Sequence, residues 1–317
     1  MQQSEFQHRL SGNYEALIRR WLPDGGTLRG VVQIIHGMAE HGGRYARLAE
    51  ALTQAGYATY AHDLPGHGPQ APADSRGHFA DRRGWRLAVA SIREVQRLAQ
   101  REHAGLPHFL LGHSMGSFLV QHYLADFGSP LAGAILSATT GDFGPLRPIG
   151  LGLIRAEAFV YGRRHPSAVG ETLSFKSFNR AFRPARTPFD WLSRDPLEVD
   201  KYMADPDCGF RCTAGLWIDL LEAGGRLVDP ARLRRVPMTL PVLMIAGSED
   251  PVSRGEQGPL DLERRYRRAG LRNVTVKIYP GARHELFNET CRDEVTAGLI
   301  QWLGDSLPAA APKKGAR

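Results

Sequence analysis

Leu111-Gly112-His113-Ser114-Met115-Gly116 is a Gly-x-Ser-x-Gly motif placed where an apolar run ends and a helical pattern begins. A serine in such a strand-to-helix turn sits on strained backbone that exposes its hydroxyl, and small flanking residues leave room for neighbouring main chain. The motif nominates Ser114 as a nucleophile. Before it, Pro107-His108-Phe109-Leu110-Leu111 is short and apolar, as a buried parallel strand requires. After it, Ser117 to Leu124 continues with helix-compatible spacing. The competing reading, a glycine-rich turn in which Ser114 only caps the helix, does not account for both flanks.

Working outward, strands are expected over 14–21, 30–36, 57–62, 131–136, 242–246 and 274–279, and helices over 45–55, 84–101, 217–223, 257–269 and 289–303. Apolar strands alternating with amphipathic helices predict an α/β chain with a mostly parallel central sheet flanked by helices. Between about 141 and 212 the alternation stops, giving way to Gly, Pro, Arg and scattered aromatics. That segment reads as an inserted cap or lid, with 1–140 and 213–317 forming one core.

A serine hydroxyl needs a base to take its proton, and the base needs a carboxylate to orient it. Asp250, in Gly247-Ser248-Glu249-Asp250-Pro251-Val252, and His284, in Gly281-Ala282-Arg283-His284-Glu285, each follow an expected strand. Their loops lie on the strand edge that carries Ser114, and the chain order Ser114, Asp250, His284 suits the elbow. His36, His41, His62 and His67 precede the elbow, and only His284 follows the acid. Glu249 adjoins Asp250, but the Asp-Pro-Val sequence favours Asp250. Asp219 falls inside an amphipathic helix and reads as a local structural residue. The negative oxygen of a tetrahedral intermediate needs donors, and the backbone N–H groups of Met115 and Met38 are the candidates for this oxyanion hole.

The blocks His36-Gly37-Met38-Ala39-Glu40-His41-Gly42-Gly43-Arg44-Tyr45, Asp63-Leu64-Pro65-Gly66-His67-Gly68, Gly112 to Gly116, Gly247 to Val252 and Gly281 to Glu285 span almost the whole core. With them the chain resembles an α/β-hydrolase of the monoacylglycerol lipase and bacterial lysophospholipase group, classed near the serine aminopeptidases. Ser174 to Arg180 and Arg186 to Asp195 resemble the cap of bacterial members, while Pro69-Gln70 departs from the pattern common after Gly68. The resemblance implies a serine carboxylester hydrolase acting on single-chain amphiphilic esters, without cofactor or metal. Gly37, His113, Phe159 and Phe178 are its candidate substrate contacts, although the elbow should turn the His113 side chain away from the nucleophile. The alternatives are an aminopeptidase of the same superfamily, which needs carboxylates for a substrate ammonium, and a hydrolase-like binding protein, which needs no working triad.

The 317 residues, 42% hydrophobic and 23% charged, suit a globular protein. No apolar run is long enough to span a bilayer and no leader-like segment opens the chain, so a cytoplasmic location is expected. Cys208, Cys212 and Cys291 cannot all pair and lack zinc-site spacing, so free thiols are expected. The formal charge is +7, yet no zinc finger, RNP-like motif or basic helix accompanies it, which argues against nucleic acid. From Pro145 to Pro188 eight Lys or Arg face two acids, a net +6, interleaved with aromatics and aliphatics. This composition suits an amphiphile or peripheral contact with an anionic membrane, or else a solvated basic cap. Residues 308–317 are expected to be a disordered tail.

Overall fold

The computed structural model describes residues 1–11, 14–128 and 131–307; the expected tail lies outside them. Eight strands form one sheet: β1 (Gln2–Leu10), β2 (Tyr14–Leu22), β3 (Gly30–Ile35), β4 (Tyr57–His62), β5 (His108–His113), β6 (Gly133–Ser137), β7 (Val242–Gly247) and β8 (Val274–Tyr279), in the order β1-β2-β4-β3-β5-β6-β7-β8. β1, β2 and β4 pair antiparallel, and every pairing from β4 through β3 to β8 is parallel. The mostly parallel sheet flanked by helices expected from the alternation is thus observed. Strands β3 to β7 are buried along their whole length, which is why they read as continuous apolar runs rather than as alternating ones.

β1 was not expected. It is an edge strand in which only Leu10 is fully buried, so it has no hydrophobic signature. Its ladder with β2, from Gln2 opposite Leu22 to Leu10 opposite Tyr14, holds it in place instead.

Helices α1 (Ala46–Gln54), α2 (Gly84–Glu102), α3 (Met115–Phe127), α4 (Arg147–Tyr161), α5 (Ala168–Leu173), α6 (Phe175–Phe178), α7 (Pro196–Ala204), α8 (Ala214–Gly224), α9 (Pro230–Leu233), α10 (Gln257–Arg268) and α11 (Arg292–Asp305) complete the chain. Leu48, Leu52, Val295 and Leu299 of α1 and α11 close one face of the sheet. Ile92, Leu119, Leu216 and Leu262 of α2, α3, α8 and α10 close the other. Burying one such leucine contributes roughly 1.5–3 kcal/mol. α3 is buried on nearly every side, so its sequence lacks the polar face of a surface helix.

Segment 141–212 leaves the sheet after β6 and carries α4 to α7. Its base merges with the core, because Leu151 and Ile154 of α4 join the cluster that includes Ala214, Ile218 and Leu220 of α8.

Candidate active site

Ser114 stands between the end of β5 and the start of α3 with φ 51° and ψ −121°, a conformation that an L-residue holds only when its surroundings enforce it. Its N–H is tied to the Ser137 carbonyl at 2.9 Å, and its own carbonyl accepts from Ser117 N at 2.8 Å. A Cβ on Gly116 would lie 2.2 Å from the Ile35 carbonyl oxygen, and one on Gly112 2.5 Å from that of Gly116. Both glycines are therefore demanded by close backbone approach, which is the physical content of the sequence motif.

His284 and Asp250 lie in the loops after β8 and β7. The imidazole Nδ1 donates to Asp250 Oδ1 at 2.8 Å, so Nε2 is the ring nitrogen left to act as a base. Asp250 is 1% and His284 2% exposed. The same carboxylate accepts from Val252 N at 2.9 Å and Ser253 Oγ at 2.7 Å. Burial works to raise the Asp250 pKa, but the His284 charge and these hydrogen bonds hold it below the usual carboxylate value. The His284 ring packs 4.8 Å from that of His113, the neighbour of Ser114, and 4.9 Å from Trp191. Among the described residues no hydrogen bond joins Ser114 Oγ to the imidazole; contacts of this kind often tighten only with substrate in place.

Met38 and Met115 both line the cavity above Ser114. Among the described residues, neither of their backbone N–H groups donates a hydrogen bond. Met115 begins α3, so its free amide also belongs to the positive end of the helix. The Met38 loop is shaped from behind. Glu40 accepts from Gly37 N at 2.5 Å and Tyr45 Oη at 2.9 Å, while the Ala39 carbonyl accepts from Tyr202 Oη and Gly209 N, each at 2.9 Å. His36 Nε2 accepts from Leu64 N at 2.9 Å, so Nδ1 carries the proton donated to the Gly37 carbonyl at 2.7 Å. Burial keeps that ring neutral.

Two charged residues that site-by-site reading of the sequence did not single out brace these loops. Arg44 donates to both Glu285 oxygens at 2.5 and 2.8 Å and to Glu40 at 2.8 Å, joining the Met38 loop to the His284 loop. Burial opposes the Arg44 charge, and Glu285 and Glu40 more than restore it, raising its pKa well above normal. Glu289, fully buried, accepts from Arg283 N, Arg194 N, Arg194 Nε, Thr290 N and Thr290 Oγ1 at 2.7–3.1 Å. Its carboxylate fastens the 190–195 segment beneath the histidine loop. Arg44 and Glu40 carry a readable signal in their i,i+4 spacing, whereas Glu289 has none, since its donors are mostly backbone.

The cavity encloses about 430 Å³, with walls from α3, α4, α5, α6 and α8, within the usual range for small-molecule sites. Phe178, Trp191, Phe118 and Trp217 supply aromatic surface; Arg147, Arg254 and Asp142 are its charged side chains. Phe178, a candidate substrate contact from the sequence, lines the cavity. Gly37 and His113 do not. Gly37 backs the Met38 loop, where a Cβ would lie 3.3 Å from Ser114 Cβ. His113 lies beneath the site, bonded to Ser137 Oγ at 3.3 Å, with its pKa lowered to about 4 by burial and by His284. Phe159 is 92% exposed and corrects the sequence expectation: only the first half of α4 faces the cavity, and Phe159 is in the second. Asp219 pairs with Arg163 at 3.1 Å, the local structural role expected of it.

All three cysteines are free, and no helix among the described residues is long and apolar enough to cross a membrane. The family model for serine aminopeptidase, S33, matches residues 26–291. A monoacylglycerol lipase of Mycolicibacterium smegmatis is 31% identical, with 90% of this chain and 92% of the relative covered. The monoglyceride lipase of Homo sapiens is 30% identical over 90% of this chain and 85% of its own length. A thermostable carboxyl esterase from Bacillus coagulans, solved in complex with glycerol, superposes with a TM-score of 0.87 at 27% identity, covering 97% of this chain and 100% of its own. Matches of this extent make the protein a hydrolase of the lipase and esterase kind. With its α/β-hydrolase sheet, the chain belongs to the serine aminopeptidase S33 family.

Proposed function

We propose that this hydrolase cleaves carboxylic esters of single-chain amphiphiles, monoacylglycerols or lysophospholipids, through an acyl-enzyme on Ser114. The observation that carries the reading is a strained serine at the floor of an apolar cavity, flanked by two unpaired main-chain amides. Ser114 Oγ attacks the ester carbonyl while His284 Nε2 takes its proton, and Asp250 holds the imidazole by Nδ1 and stabilises its charge. The N–H groups of Met38 and Met115 receive the developing oxyanion. His284 then protonates the departing alcohol, activates water, and the acyl group leaves as the free acid.

Residues 141–212 act as the lid in this reading, and Phe178 contacts the acyl chain. Leu146, Ile149, Leu153 and Leu173 both line the cavity and stand exposed at its rim, so an acyl chain passing between them stays out of water. Together with the basic surroundings, that rim suits entry from an anionic membrane surface. An aminopeptidase site needs acids for its ammonium, whereas Asp142 is the single carboxylate among the described lining residues, beside Arg147 and Arg254.

A fluorophosphonate probe should label the protein at Ser114, with labelling abolished in Ser114→Ala. Asp250→Asn should lower turnover by about four orders of magnitude with the fold intact. A hydrolysis panel of monoacylglycerols, lysophosphatidylcholine, short p-nitrophenyl esters and aminoacyl amides then assigns the substrate. Labelling that survives Ser114→Ala refutes the mechanism, and preferential cleavage of the amides refutes the substrate class.

A further inference from the structure

A second concave site lies away from the chemistry, at the edge of the sheet where the parallel strands begin. α2 runs down to that edge before β5, α3 runs down to it before β6, and Pro237 precedes β7 there. Between them is a cleft of about 420 Å³ walled by Arg93, Gln96, Arg97, Tyr123, Phe127 and Arg235. Three arginines against one carboxylate, Asp126, line it, so unlike the apolar Ser114 cavity it carries net positive charge.

Among the described residues neither Arg93 nor Arg97 is in an ion pair, whereas Arg232 and Arg235 nearby both pair with Asp126. Four residues apart on α2, they project on one helix face. Arg93 lies over the Phe127 ring at 4.0 Å, which fixes its plane without neutralising it. Arg235 shares Asp126 with Arg232, each at 3.2 Å, so that acid is already committed twice. Gln96, 2% exposed, backs the cleft with its Oε1 taking the Tyr123 hydroxyl.

We infer that this cleft binds a phosphate-bearing anion, with Arg93 and Arg97 as the charged clamp and Arg235, which already pairs with Asp126, as a further donor. Paired guanidinium groups present forked donors that match phosphate oxygens, and a volume of this size admits a diphosphate or larger group. The anion is either a free phosphorylated metabolite or a lipid phosphate headgroup.

Calorimetric titration with inorganic pyrophosphate should give saturable binding to the intact protein, weakening as salt is raised. Arg93→Gln/Arg97→Gln should weaken it by about tenfold or more, while the rate of Ser114 labelling by fluorophosphonate stays unchanged. Arg180→Gln/Arg183→Gln, which removes the same charge from the exposed surface of segment 141–212, should leave binding intact. Vesicles containing phosphatidate, retained by the intact protein and lost in Arg93→Gln/Arg97→Gln without pyrophosphate binding, would identify the lipid source. Absence of saturable binding to both probes, or equal weakening by the two double variants, overturns the site.

Discussion

The segment between β6 and α8 is held to the rest of the molecule in two unlike ways. From Asp190 to Gly209 it is stitched to the loops that carry His284 and Met38. Arg283 reaches the Asp190 carbonyl at 2.6 Å, Glu285 N reaches that of Leu192 at 2.8 Å, and Tyr202 and Gly209 both bond to Ala39. From Leu146 to Tyr161 the attachments run through side chains, with Leu151 and Ile154 packed into the core against α8 and Arg155 paired with Glu222 at 2.7 Å, and the apolar residues Leu146, Ile149, Phe159 and Val160 face outward. The first region fixes the loops that carry His284 and Met38, and in the proposed mechanism it therefore sets the catalytic geometry, while the second covers the cavity without setting it. Substitutions should divide accordingly, with large effects on every substrate from the stitched half and small, substrate-dependent effects from the awning.

The largest effect is expected beneath the stitched half. Arg44→Met leaves Glu40 and Glu285 as buried charges without their common partner, which should cost about 3–5 kcal/mol of stability and depress turnover of all esters. Denaturant unfolding measures the first and a short water-soluble ester the second. An Arg44→Met protein of normal stability and activity would mean that the two loops do not depend on this link.

Glu289→Gln probes the same half more gently. The amide keeps an acceptor for Arg283 N or Arg194 N but loses the charge, so stability should fall by about 1–3 kcal/mol. With His284 less well held, kcat should fall roughly tenfold while KM for a short ester stays within a factor of about two. A change confined to KM would move Glu289 from positioning the base to shaping the cavity. Because burial opposes and four N–H donors support the Glu289 charge, its pKa lies below normal. The stability it contributes is therefore present above the unfolded carboxylate pKa and is lost as pH falls through the folded value.

How much of this was legible in the sequence follows the same divide. The elbow glycines, Ser114, Asp250 and His284 are dictated by local backbone needs and chain order, so they could be read residue by residue. The parallel strands were legible because burial on both faces makes them uniformly apolar. β1 was not, because an exposed edge strand is held by its ladder and leaves no apolar trace. Glu289 and the bond from Tyr202 to Ala39 were illegible for a related reason: their partners are main-chain groups, which look alike in any sequence. Phe159 misled because helix α4 is apolar on more than one side, and its composition does not reveal which side faces inward.

At the root of the awning, Asp219 offers a pH-dependent test of how firmly that half is attached. Burial raises its pKa to about 6, with Arg163 opposing and Glu222 adding to the shift. A carboxyl raised in the folded state contributes fully below its unfolded pKa and loses that contribution as pH rises through the folded value. Relative to Asp219→Asn, the parent protein should therefore lose about 1–2 kcal/mol between pH 4 and pH 7.5, after allowing for solvent screening. Denaturant melts of both proteins at the two pH values measure it. A difference independent of pH would show that Asp219 stays ionised throughout and that its bond to Arg163 is stronger than its burial.

The smallest effect is expected at Phe159, and its size discriminates between the two halves most sharply. With the ring 92% exposed, Phe159→Ser removes little packing and should change stability by no more than about 0.5 kcal/mol. Hydrolysis of a short p-nitrophenyl ester should be unaltered, since neither the triad loops nor the cavity wall touches this residue. If the outer face of α4 meets a lipid surface, the same variant should hydrolyse long-chain substrate in anionic vesicles several-fold more slowly, because an aromatic ring at the interface adds to membrane affinity. Equal losses on both substrates would instead place Phe159 in mechanical contact with the catalytic loops and erase the distinction between awning and stitched half. No loss on either would leave the apolar rim of Leu146, Ile149 and Leu153, rather than the far end of the helix, as the part that receives the lipid.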